Sequence, residues 1–200
     1  MPIRAEEVKK LRDQTGQSMM ECKKALEQSG GDAARAVEIL RTKGFATAEK
    51  KAGRVAAQGR IHSYIHHNGK VGVMVEVDCE TDFVAKNELF QAFLNDVCLH
   101  ICALSPLAVC REHIPADIIE REKRIAREQV AGKKPEPLIE KIVEGKLTKW
   151  YADHVLLEQP FVKDQERTVQ AVLTELIAKT GENIVVKRFA RFEVGEGASA

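Results

Sequence analysis

Residues Arg60-Ile61-His62-Ser63-Tyr64-Ile65-His66-His67-Asn68-Gly69-Lys70-Val71-Gly72-Val73-Met74-Val75-Glu76-Val77-Asp78-Cys79 hold the clearest β signal in the chain. Asn68-Gly69 is the pair that a two-residue type I′ turn needs at its two positive-φ positions, so the spacing predicts a hairpin over about 60–79. Pairing across such a turn puts His62, Tyr64 and His66 on one face with Val71, Val73 and Val75, and Ile61, Ile65 and Met74 on the other. A third strand is expected over 184–194, with Ile184, Val186 and Phe192 on one side and Val185 and Phe189 on the other. Both faces of this sheet are partly apolar, unlike a sheet with one wet face.

Helical periodicity occupies most of the remaining chain. Glu88 to Leu104 places Phe90, Phe93, Leu94, Val97 and Ile101 at helical spacing, with Pro106 just beyond. A second helix is expected from near Pro115, carrying Ile118, Ile119, Ile125 and Val130 and ending before Gly132. A third follows Pro137 with Ile139, Ile142 and Leu147. The last is expected over Asp164 to Lys179, burying Val169, Val172, Leu173, Leu176 and Ile177 and stopping at Gly181; the tail from Gly195 to Ala200 is expected to fray.

Before the hairpin, three short helices are expected within residues 1–44. The first covers about Ala5 to Gln14, with Val8 and Leu11 on one face. Ser18 and Glu21 form a capping box that starts the second, with Met19, Cys22 and Leu26 as its apolar stripe. Asp32 caps the third, which buries Ala33, Ala36, Val37 and Leu40 and ends at Gly44. Between Arg41 and Arg60 stand six cationic side chains and the single acid Glu49, interrupted by Gly53 and Gly59. This basic connector has the composition of a domain boundary, so residues 1–54 are assigned to a helical domain with its connector and 55–200 to a core domain.

The chain has 200 residues, 31 Lys+Arg against 30 Asp+Glu, and a formal net charge of +1, so no overall field favours nucleic acid or a membrane. A content of 44% hydrophobic and 30% charged residues fits a globular protein rather than a disordered one. Five cysteines without regular spacing fit buried hydrophobes in a reducing compartment. The N-terminus carries acids and no continuous apolar stretch, so neither a signal nor a transit peptide is read and a cytoplasmic location is expected.

Several side-chain groups invite a chemical reading. Glu76, Asp78, Glu80 and Asp82 alternate along one strand face, but the calcium-loop template wants Gly at Phe83 and Glu at Leu89, which leaves a solvated strand face. Cys98, Cys102, Cys110 and His113 lack the two-residue first spacing of a zinc site, and His62, His66 and His67 fall on opposite strand faces, so no metal site is expected. No Gly-rich phosphate loop, nucleophile elbow or triad signature appears, and no bond-making chemistry or cofactor is expected. Phe83, at a strand-to-helix junction, either caps the hairpin against the next helix or stands outside as an apolar wedge. Lys50, Lys51 and Arg54 could face a docking partner, solvent or a phosphate backbone, although no aromatics interleave with them.

The order of helices, basic connector and Thr81-Asp82-Phe83-Val84-Ala85-Lys86 resembles the elongation factor Ts family. The likeness extends through Met19-Met20-Glu21-Cys22-Lys23-Lys24-Ala25-Leu26, Lys50-Lys51-Ala52-Gly53-Arg54-Val55-Ala56, Val143-Glu144-Gly145-Lys146, Glu158-Gln159-Pro160-Phe161-Val162 and Arg191-Phe192-Glu193-Val194-Gly195-Glu196-Gly197. The resemblance implies an α+β fold: an N-terminal ubiquitin-associated-like three-helix module, then a core with a three-stranded antiparallel sheet and flanking helices. It lacks the second core subdomain and inserted coiled coil of longer members. It also implies a guanine-nucleotide exchange factor that binds GDP-loaded elongation factor Tu, with Thr81, Asp82, Phe83 and Val84 dislodging Mg2+ in the partner. Lys23, Lys51 and Val55 match docking positions, and His66 or His67 corresponds to a histidine that touches the GTPase. A homodimer stacking sheet on sheet would cover the second apolar face and bind two GTPases. From other classes, an RNA- or ribosome-associated binding module and a zinc enzyme on the Cys/His cluster are the competing readings.

Overall fold

Local chemistry sets where the N-terminal helices begin. The computed structural model of the chain describes residues 3–130 and 135–196. Helix α1, Ala5–Thr15, opens where the Arg4 N–H donates to the Glu7 carboxylate at 3.0 Å. Helix α2, Met19–Gln28, opens where the Ser18 hydroxyl oxygen accepts from the Glu21 N–H at 3.2 Å. Only half of the expected capping box forms there, because the Glu21 carboxylate lies between Lys24 and Lys43, at 3.3 and 3.6 Å. Helix α3, Ala33–Lys51, is capped by Asp32, which accepts from the Arg35 N–H at 3.1 Å.

Val8, Leu11, Cys22, Ala25, Leu26, Ala36 and Leu40 close into one buried cluster. Truncating a filled position such as Leu26 to Ala would cost about 2–5 kcal/mol. Three expectations for this module need correction. Met19 is exposed, Ala25 taking its place in the stripe, and Ala33 is exposed at the start of α3. Helix α3 also runs seven residues past Gly44. Gly44 is buried, and a side chain there would come 3.4 Å from the Ala178 methyl, so this glycine admits a close neighbour instead of ending the helix.

The three-stranded antiparallel sheet is made of β1, Gln58–Ile65, β2, Val71–Cys79, and β5, Ile184–Glu193, in the order β1-β2-β5. Its first turn differs from the expected type I′. The His66 N–H donates to the Val71 carbonyl and the Gly69 N–H to the His66 carbonyl, each at 2.8 Å. Only Gly69 takes a positive φ, 67°, because the Asn68 side chain instead accepts from the Lys70 N–H at 2.9 Å. A four-residue loop results, whose left-handed position only glycine fills without cost.

Burial alternates along β2, with Val73, Val75, Val77 and Cys79 inside and Met74 outside. Ile61 and Ile65 are exposed as well, at 63% and 67%. Phe192, expected beside Ile184 and Val186, is 70% exposed while those two are buried. The alternation of β5 changes phase between Val186 and Phe189, which turns Phe192 to the outer face.

After β2 come α4, Asp82–Ala85, α5, Glu88–Leu104, α6, Ala116–Glu128, and α7, Glu136–His154. All five residues of the expected α5 stripe are buried. In α6 only Ala126 is buried and Ile125 is exposed, so that stripe is shallower than its spacing suggests. Gly132 and residues 197–200 of the tail lie outside the described residues. The last helix begins later than expected: Asp164–Thr168 is strand β4, paired antiparallel with β3, Pro160–Phe161, and α8 is Val169–Thr180.

The chain divides into two compact units. One holds residues 1–60, 77–93 and 171–185, and the other holds 61–76, 94–170 and 186–200. In the second, the fully buried His100 organises the β3–β4 hairpin. Its Nδ1 accepts the Val162 N–H at 3.2 Å, so Nε2 carries the proton and donates to Gln159 Oε1 at 2.9 Å. The Gln159 side-chain amide donates to the Asp153 carbonyl at 2.8 Å, and the His100 ring stacks on Phe161.

Burial holds the His100 pKa below its ordinary 6.5. A second proton would have to go to Nδ1 and point at the Val162 N–H. Because the folded pKa lies below the unfolded one, the contribution is complete above about pH 6.5 and fades as pH falls toward the folded value. Urea titrations are expected to show stability declining below about pH 6.5, with a shallower decline in His100→Gln; equal slopes for the two proteins would contradict this.

Candidate functional site

Where β2 ends, Cys79 is buried and the chain turns outward. The Cys79 thiol donates to the Thr81 carbonyl at 3.1 Å; burial, then the negative charge of Glu182, pushes its pKa up. Thr81 has extended backbone angles and is the N-cap of α4, its hydroxyl oxygen accepting from the Val84 N–H at 3.4 Å. The same hydroxyl donates to Glu182 Oε1 at 2.6 Å, and the Thr81 N–H donates to Glu182 Oε2 at 3.0 Å.

Within this frame Ala85 is the buried residue of α4 and Val84 is half-buried. Phe83 is 82% exposed. Asp82 pairs with Lys86 at 2.7 Å, and that hydrogen bond holds its carboxyl below the usual range. The Lys86 N–H donates to the Asp82 carbonyl at 3.1 Å, the Asn87 N–H to the Val84 carbonyl at 3.0 Å, and Asn87 Oδ1 accepts from the Leu89 N–H at 2.8 Å to open α5. The loop is closed by its own hydrogen bonds and leaves one large apolar side chain in solvent. Such a side chain, with few rotamers to freeze, suits docking into a partner.

The connector meets this loop. Arg54 lies 3.4 Å from Glu80 Oε2, Glu80 Oε1 accepts the Asn183 N–H at 2.7 Å, and the Asn183 side-chain amide donates to the Arg54 carbonyl at 2.8 Å. The Asn183 N–H, then Arg54, holds the Glu80 carboxyl below its ordinary range. Lys51 ends α3 half-buried, and Val55 is 82% exposed. Lys23 is exposed on α2, 3.9 Å from Glu27, and no bond joins it to the loop among the described contacts.

His66 and His67 belong to the other unit, at the hairpin turn. His66 is half-buried, with Nδ1 3.1 Å from the Tyr64 hydroxyl and its ring edge-on to the exposed His67 ring. The alternating carboxylates have separate partners: Glu76 pairs with Arg188 at 2.5 Å, Glu80 with Arg54 and Asp82 with Lys86. Among the described residues no three His, Cys, Asp or Glu side chains stand close enough to hold a metal ion. The Cys98 thiol is buried and its pKa is pushed up to about 12, which disfavours the thiolate a zinc site needs. No helix among the described residues is long and apolar enough to cross a membrane.

Sequence reasoning missed Glu182 and Asn183. They are remote from Thr81 along the chain, and no local pattern marks a polar pair after a helix-ending glycine as anything but a turn.

The helical module, the antiparallel sheet and the capped loop define an α+β chain that begins with three helices. The family profile described as "Elongation factor TS" matches residues 5–196. Elongation factor Ts of Geotalea uraniireducens (strain Rf4) is 57% identical over 198 residues, covering 98% of this chain and 92% of that protein. Elongation factor Ts of Geobacter sp. (strain M21) is 56% identical with the same coverage, and that of Acetivibrio thermocellus is 53% identical over 196 residues, covering 98% and 91%. The chain belongs to the elongation factor Ts family, and its role lies in translation elongation.

Because Phe83 makes so little contact with its own protein, Phe83→Ala should change unfolding free energy by no more than about 0.5 kcal/mol. A core phenylalanine would lose about 3–5 kcal/mol on the same substitution. Urea unfolding separates the two, and a loss in the core range would return Phe83 to a structural role.

Proposed function

We propose that the chain is a cytoplasmic guanine-nucleotide exchange factor that binds GDP-loaded elongation factor Tu and releases GDP without making or breaking a covalent bond. The observation that carries this is Phe83, 82% exposed on a loop whose polar groups are tied to the chain's own atoms. A GTPase holds GDP through backbone amides around the phosphates, a lysine and a Mg2+ ion with strict ligand geometry, so small displacements cost much affinity. Phe83 enters the partner as a wedge near that site. Asp82, kept ionised by Lys86, and the flanking Thr81 and Val84 help displace the segments that hold the ion and phosphates. Coupling is reciprocal: the factor by which this chain weakens GDP is the factor by which GDP weakens this chain, so the exchanger is regenerated.

Residues 1–54 serve as the docking domain, with Lys23, Lys51 and Val55 on the partner and His66 or His67 making a further contact, while 55–200 form the core and dimerisation domain. Ile61, Ile65, Met74 and Phe192 make an exposed apolar sheet face that a second copy would cover, giving a two-plus-two complex with elongation factor Tu.

Stopped-flow release of a fluorescent GDP analogue tests the exchange site. Phe83→Ala should slow stimulated release about thirtyfold, the equivalent of about 2 kcal/mol lost from an interface anchor. Asp82→Ala should act in the same direction but less, since water can replace part of a polar contact. Release at the wild-type rate by folded Phe83→Ala would leave the exchange site unassigned. Analytical ultracentrifugation tests the dimer: a stable monomer at micromolar concentration would refute it, whereas a dimer should dissociate on Met74→Glu.

A further inference from the structure

Glu182 spends both carboxylate oxygens on one residue. Oε1 accepts the Thr81 hydroxyl at 2.6 Å and Oε2 accepts the Thr81 N–H at 3.0 Å. Hydrogen bonds to an ionised acceptor are the stronger kind, and a pair of them fixes orientation as well as distance. Thr81 is in turn the cap of the short helix that carries Phe83, since its hydroxyl accepts the Val84 N–H. Glu182 therefore acts on the Phe83 loop through Thr81.

Asn183 does the equivalent for the connector. Its N–H holds Glu80 beside Thr81, and its side-chain amide holds the Arg54 carbonyl, one residue before the exposed Val55. Asn183 is only 4% exposed and Glu182 is half-buried, with the bonds just described directed at the chain's own atoms. Neither belongs to the hydrophobic core. Two residues between α8 and β5 thus tie the loop bearing Phe83 to the connector bearing Val55.

We propose that Glu182 and Asn183 are positioning residues for exchange: they hold the Phe83 loop and the Arg54–Val55 connector in binding-ready geometry, a role that rests on the exchange function above. Without them the loop would sample other conformations, and the ordering met during folding would be met at the encounter instead. Apparent affinity falls by the fraction of time the loop is competent, while the wedge itself is unchanged.

The test uses the full chain titrated against elongation factor Tu loaded with a fluorescent GDP analogue, reading maximum release rate and half-saturating concentration separately. Glu182→Ala should raise the half-saturating concentration about tenfold, as for a loop competent about one-tenth of the time, and leave the maximum rate within about twofold. Glu182→Gln, which keeps an acceptor for the Thr81 hydroxyl, should recover part of the loss. Amide hydrogen exchange should show lost protection at Val84 in Glu182→Ala, with α5 protected as before. Should Glu182→Ala not fold, Glu182→Gln alone carries the test: without the charge that strengthens both bonds to Thr81 it should still raise the half-saturating concentration measurably and leave the maximum rate within about twofold. Phe83→Ala serves as the comparison, lowering the maximum rate. If Phe83→Ala is impaired while Glu182→Ala keeps the wild-type half-saturation, the positioning role is overturned alone. If Phe83→Ala exchanges normally, the exchange site falls and the positioning role falls with it.

Discussion

Burial of one face of β2 is the constraint on which the other features depend. Val73, Val75, Val77 and Cys79 are each no more than 2% exposed, and β2 is the central strand of its sheet. Side chains alternate with a period of two, so a one-residue slip would bring Met74, Glu76 and Asp78 inside and expel the four apolar groups. At about 25 cal/mol per Å2 of apolar surface, no such register competes. Fixing that phase also fixes where the chain leaves the sheet. Cys79 is the last buried residue, and Glu80 and Thr81 emerge where the Arg54 and Glu182 side chains meet them.

The loop that follows separates what holds it from what it presents. Its stability comes from hydrogen bonds of Thr81, the Asp82–Lys86 pair and the Ala85 methyl in the interior, while Phe83 contributes almost no burial. An exposed residue of this kind can change without unfolding the chain, whereas the residues that frame it cannot be removed without leaving polar groups unpaired. Docking surfaces on rigid frames lose less entropy on association than mobile segments do.

The same alternation that buries the valines of β2 turns Met74 outward, beside a strand that exposes Ile61 and Ile65. Clustered apolar side chains of this kind carry a cost in water that a covering surface would relieve. The phase change in β5 adds Phe192 to the outer face. The buried interior and the exposed apolar face are therefore two results of one strand pattern.

Much of the architecture follows from sequence alone. Ser18 and Asp32 mark helix starts because a capping hydroxyl or carboxylate needs only the amides three residues on, and Glu88–Leu104 is legible because a dense apolar stripe has one way to be buried. The Thr81–Val84 stretch stands out by family resemblance, since a lone phenylalanine carries no sign of whether it faces in or out. Elsewhere the local signals point the wrong way. Gly44 lies inside α3 facing Ala178 rather than ending the helix, Asp164–Thr168 becomes a strand because Pro160 and Phe161 pair with it, and Asn68 forgoes a positive φ because its side chain satisfies Lys70. Sequence by itself determined the Ser18 and Asp32 caps, the existence of the hairpin and the α5 stripe, all of which depend on residues within a few positions of one another. Only the tertiary structure decided that Phe83 stands in solvent and that Glu182 and Asn183 hold its loop, because those contacts join residues about a hundred positions apart and leave no periodic trace.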